Sequence, residues 1–168
     1  MATRWSRRYF RLPAGLTLED ARDRLGDMEP VAPDSHVAVA EEGPLADTEA
    51  PSRREREYSE LPEVVYVGVN AGVGLFVYTR WVRGELARHL YYSADEGWVR
   101  VDGEPEPWEA EAIFGVEARE HHERYLGGWD AAEVARAREV FDSGRLVAGS
   151  TWPVVDPEQL SWSLGVPQ

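Results

Sequence analysis

Between Val64 and Val101, apolar and polar residues alternate in short runs broken by turn residues, a pattern that predicts antiparallel strands. The runs are 64–69, 74–82, 85–92 and 98–101, and β-branched and aromatic residues dominate them. Asn70-Ala71-Gly72, Arg83-Gly84 and the stretch 94–97 supply the turns, so the region reads as a four-strand meander. Period two puts Val65, Val67 and Val69 on one face. In the third run it sets Leu86, Arg88, Leu90 and Tyr92 against Glu85, Ala87, His89 and Tyr91.

Upstream, 7–12 reads as a strand closed by Pro13 and Gly15. Thr17 then caps a helix in which Leu18, Ala21, Arg22 and Leu25 recur at helical spacing before Gly26. Alternating valines predict a further strand over 36–40. Downstream of the meander, 103–108 with Pro105 and Pro107 reads as an extended exit. Helices are predicted over 117–126, after the cap Asp130 with Glu133 in capping-box position, and after the cap Asp156 with Pro157 in the first turn. The fold class is therefore α+β. An antiparallel meander sheet of five to six strands carries an N-terminal helix and about three C-terminal helices, in one domain over 1–168. The stretch 41–62 loses all periodicity and is expected to be a long, mobile, acidic loop.

Composition narrows the chemistry. The 168 residues include no cysteine, and all 18 basic residues are arginine. Thiolate chemistry, Cys-based metal sites, Schiff-base lysines and the phosphate-loop lysine are thereby excluded for this chain's own residues. A formal net charge of −13 repels phosphate backbones and anionic lipid, so neither nucleic acid nor membrane is expected as a partner. No segment reaches the length of a membrane span and no apolar leader is evident, which makes cytoplasmic the expected location. Charge is also uneven: Arg4, Arg7, Arg8 and Arg11 make the start basic, whereas 27–63 and 95–123 are each strongly acidic.

Each candidate chemical motif is weak. The glycine run 68–74 sits between two strand-like runs, so it reads as a hairpin turn and not as a phosphate loop. Glu117 and His121 lie four apart on one helix face and could share a proton or a metal. Adjacent His122 points about 100° away, so a third ligand would have to come from elsewhere, His36 and His89 being the other imidazoles. The carboxylates at 95–111 fall in or beside turns without the asymmetry that paired catalytic acids need. Gly149-Ser150-Thr151 lacks the second glycine of a nucleophile elbow.

The chain also carries seven tryptophans and seven tyrosines, of which Trp81, Trp98, Tyr91 and Tyr92 sit on the meander with Arg80, Arg83, Arg88 and Arg100 between them. Such side chains anchor interfaces when they are exposed. The expectation is a non-enzymatic acidic protein-binding module, an inhibitor or immunity-type partner of a basic protein, needing no cofactor or metal. Trp81, Tyr92, Trp98 and Trp108 would anchor it, and Asp95, Glu96, Glu104 and Glu106 would steer it. In composition and class the order of elements resembles small bacterial immunity and inhibitor domains. The alternative is a small hydrolase or small-molecule-binding domain with a pocket over the meander, using His89 or His121 with Glu117 or Glu109. Self-association through a sheet edge stays open, so a homo-oligomer is compatible with this reading.

Overall fold

A computed structural model describes residues 4–42 and 60–164 of the chain. The strands are β1 (Arg4–Arg11), β2 (Glu29–Pro30), β3 (Val37–Glu42), β4 (Glu63–Asn70), β5 (Leu75–Val82), β6 (Glu85–Ser93) and β7 (Gly97–Gly103). They form one antiparallel sheet in the order β2-β3-β1-β4-β5-β6-β7. The helices are α1 (Leu18–Leu25), α2 (Pro107–Ala112), α3 (Val116–Tyr125), α4 (Ala131–Ser143) and α5 (Pro157–Trp162). This is the α+β meander architecture that the periodicity predicts, with the two-residue β2 added at one edge. The acidic connection expected over 41–62 lies, from 43 to 59, outside the described residues.

Local chemistry accounts for the turns and caps. Arg83 and Gly84 both take positive φ, 52° and 79°, as the tight β5–β6 hairpin requires. Thr17 and Asp20 exchange hydrogen bonds in a capping box at the start of α1, and Asp130 and Asp156 each accept two backbone N–H groups at the starts of α4 and α5. The extended exit predicted over 103–108 needs correction at its end, because Pro107 is the first residue of α2. Its missing N–H is one that a helix start leaves unpaired anyway.

The two faces of the sheet are built differently. Tyr9, Val65, Val67, Val69, Phe76, Tyr78, Leu90, Tyr92 and Trp98 line one face and pack with Ile113, Leu146, Leu160 and Leu164. On the other face Phe10, Ala38, Val64 and Trp81 pack with Ala21, Met28 and Leu61 under α1. Both faces are thus covered where the large rings lie, and this corrects the interface expectation for three of them. Trp81, Tyr92 and Trp98 are each no more than 1% exposed and serve the core. Tyr92 and Trp98 pack 5.1 Å apart, and the Trp98 indole N–H donates to the Pro153 carbonyl at 2.8 Å. Trp98 also exchanges backbone hydrogen bonds with Gly149 and Ser150, which ties the segment leading into α5 to β7. Gly97 is obligatory at that junction, since a Cβ there would lie 2.4 Å from the Ser150 oxygen.

Candidate functional site

Two concave regions lie on the helical face, and a buried ion pair fixes the helix between them. Arg88 on β6 and Glu109 on α2 are 1% and 2% exposed and join in a two-pronged pair, at 2.8 and 2.6 Å. Arg88 also donates to the Asp102 and Gly103 carbonyls, while Glu109 accepts the Glu106 backbone N–H. Every prong of this pair is therefore engaged, and α2 is pinned to the sheet by its first turn. Glu109 is accordingly a positioning group here, not the accessible acid of the hydrolase expectation.

The larger cleft, of about 590 Å³, opens between α2, α3 and α5. Glu111, Glu117 and Asp156 line it beside Trp108, His121, Gln159 and Trp162, and among the described residues no arginine does. Helical spacing from Glu117 to His121 puts both on the same wall of this cleft. Trp162 stands 62% exposed at the rim, where a large ring without a partner leaves apolar surface in water. The surplus here is of acceptors: negative charge and ring faces with no arginine to meet them among the described residues.

The smaller pocket, of about 270 Å³, opens on the other side of Trp108 and is lined by β1, β3, β4 and β5 residues with Glu106, Pro107 and Leu164. A chain of ion pairs forms its polar wall. Glu63 accepts from Arg80 at 2.6 Å and from Arg11 at 2.9 Å. Glu106 accepts from Arg80, from the Tyr78 hydroxyl at 2.6 Å and from the Trp108 indole at 2.9 Å. Burial alone would raise the Glu63 carboxyl, but the bonds from Arg80 and Arg11 outweigh it and hold it below its usual value. Burial and the Glu106 carboxylate push the Tyr78 phenol far above its ordinary range, so it stays a neutral donor.

Of the residues singled out from the sequence, the structure brings Trp108, Glu117 and His121 to the larger cleft and Glu106 to the smaller. Asp95, Glu96 and Glu104 are exposed, on the β6–β7 turn and ahead of α2, and line neither cleft. His89 points to the opposite face of the sheet. There the cross-strand register aligns Arg8, Tyr66, Thr79, His89 and Asp102 in a single row over five strands. The Thr79 hydroxyl and His89 Nε2 in that row are buried without a hydrogen-bond partner, and His89 Nδ1 lies 3.8 Å from the Asp102 carboxylate. Burial lowers the His89 pKa, with Asp102 opposing and Arg100 reinforcing the shift. His122 is buried between Phe141 and Trp152, both ring nitrogens unpaired, and burial lowers its pKa too.

Glu111, Asp156 and Trp162 were missed as cleft residues in the sequence reading. They come from elements far apart in sequence: the Arg88–Glu109 pair places α2, and the Trp98–Pro153 bond places the segment leading into α5. Among the described residues, no group of three or more histidine, aspartate or glutamate side chains could hold a metal ion, and no helix is long and apolar enough to cross a membrane.

Residues 33–124, more than half of the chain, match a family described as Family of unknown function (DUF6928). The matched stretch takes in Glu63, Arg80, Glu106, Glu111, Glu117 and His121, and leaves out Arg11, Asp156 and Trp162. No curated protein and no solved structure matches the chain.

Proposed function

The chain belongs to the DUF6928 family, whose description assigns no activity, and from its geometry we propose that it is a non-enzymatic binding module for a basic protein. The observation that carries this reading is the larger cleft, with three carboxylates, exposed ring surface and, among the described residues, no arginine in its lining. A basic segment entering it supplies the missing cations, with arginine stacking on Trp108 or Trp162 while its guanidinium meets Glu111, Glu117 or Asp156. The net charge of −13 speeds encounter with such a partner, and the cleft sets where it docks. An inhibitor or immunity-type role in the cytoplasm is the finer form of the same reading.

The test is chemical-shift mapping with a short peptide of alternating arginine and glycine. Shifts gathered on α2, α3 and α5 support the proposal. Shifts spread evenly over the acidic surface, including the β6–β7 turn at Asp95 and Glu96, contradict it.

His121 and Glu117 on one cleft wall favour a second reading, a small hydrolase working in the same cleft. Turnover of an ester or amide substrate that is abolished by His121→Gln would replace the binding proposal with this one.

A further inference from the structure

The smaller pocket has a hydrogen-bonding inventory unlike that of any other part of the described surface. Each of its four carboxylate oxygens already accepts a bond: both Glu63 oxygens accept from arginines, and both Glu106 oxygens accept from Arg80, Tyr78 or Trp108, which together take five of about eight acceptor sites. Its two guanidiniums are less engaged. A guanidinium carries five N–H donors, and the bonds formed here use one from Arg11 and two from Arg80. Glu63 bonds both arginines through their Nε atoms, which ties the two guanidiniums to one wall of the pocket.

Around this charged wall the lining is apolar or aromatic, from Tyr9, Val37, Val65, Pro107 and Leu164. A cavity of about 270 Å³ holds roughly nine waters at about 30 Å³ each, which is the scale of a small organic molecule. Arginine donors at one end and apolar walls at the other define an amphipathic acceptor. We propose that this pocket binds a small organic carboxylate, its head on Arg11 and Arg80 and its apolar part against Val37, Val65, Pro107 and Leu164. The site is independent of the basic-partner cleft, from which the Trp108 ring separates it: the ring lines that cleft while its N–H faces Glu106. Occupancy of the pocket would brace that ring from behind.

The probes are benzoate, whose carboxylate can accept from the arginine donors, and benzyl alcohol, which has a similar shape without the charge. Both are titrated into the full chain and followed by amide chemical shifts. Benzoate is expected to bind saturably, shifting Arg11, Val37, Tyr78 and Arg80, and to bind about tenfold more tightly than benzyl alcohol, as a charge-assisted pair of contacts implies. Arg11→Gln, at a side chain 56% exposed and safe for folding, should weaken benzoate about tenfold and leave benzyl alcohol unchanged. Arg136→Gln, an exposed change on α4 that alters net charge equally, should leave both unchanged. Equal affinity for the two probes, equal loss in the two variants, or no saturable shift at the pocket each overturns the proposal. None of these outcomes bears on peptide binding in the larger cleft.

Discussion

The two concavities beside Trp108 both carry carboxylates and apolar side chains, yet end with opposite needs. In the smaller pocket Glu63 and Glu106 meet Arg11, Arg80, Tyr78 and Trp108, so the carboxylates are engaged and donors remain. In the larger cleft Glu111, Glu117 and Asp156 share the lining with no arginine among the described residues. The difference lies in the element that supplies each wall. Strands β1 and β5 bring arginines into fixed register with Glu63 on β4, whereas α2, α3 and α5 bring acids alone. A carboxylate's role here follows from its neighbours and not from its count in the sequence.

The comparison can be broken most severely at the pair that positions both sites. Glu109→Ala leaves Arg88 buried without its counter-charge, and should cost about 3–5 kcal/mol of unfolding free energy in urea titration. Replacing both partners by methionine should recover much of that loss, since no charge is then buried alone. Trp98 and Trp162 give the next test. Trp98→Ala opens the core and should cost about 3–5 kcal/mol, whereas Trp162→Ala should change stability by no more than about 0.5 kcal/mol and weaken peptide binding instead.

A smaller effect comes from the buried imidazoles. His89 and His122 have depressed folded pKa values, so the unfolded chain binds their protons first. Their stability contribution is complete above about pH 6.5 and is lost as pH falls below it toward the folded values, with a slope of at most about 1.4 kcal/mol per pH unit for each histidine. His122→Phe, placing another ring between Phe141 and Trp152, should flatten that dependence in unfolding curves taken from pH 7 to 5. The smallest effect belongs to Glu63, whose folded pKa is also depressed. Its contribution is present above the ordinary carboxylate value of 4.5 and disappears as pH falls through the lower folded value.

Much of the architecture was legible in the chain. Alternation along Val65, Val67 and Val69 and the Arg83-Gly84 turn identify the meander because strand period and turn dihedrals are local properties. Thr17, Asp130 and Asp156 mark helix starts for the same reason. Pro107 misled because proline opens a helix as readily as it stiffens an extended exit, and the Arg88–Glu109 contact that decides between them is long-range. The roles of the tryptophans were not legible at all. Trp98 and Trp162 differ by whether another element lands on them, and local sequence carries no record of that.

On the binding proposal, position and not overall acidity directs a basic partner to the α2–α3–α5 cleft. The most direct test compares two variants of equal net charge against the arginine–glycine peptide. Glu111→Gln with Glu117→Gln alters the cleft; Asp23→Asn with Glu85→Gln alters exposed sites on α1 and β6. The account predicts about tenfold weaker binding for the first and less than about twofold change for the second, the difference expected between docked and merely screened charges. Equal weakening of the two would contradict it.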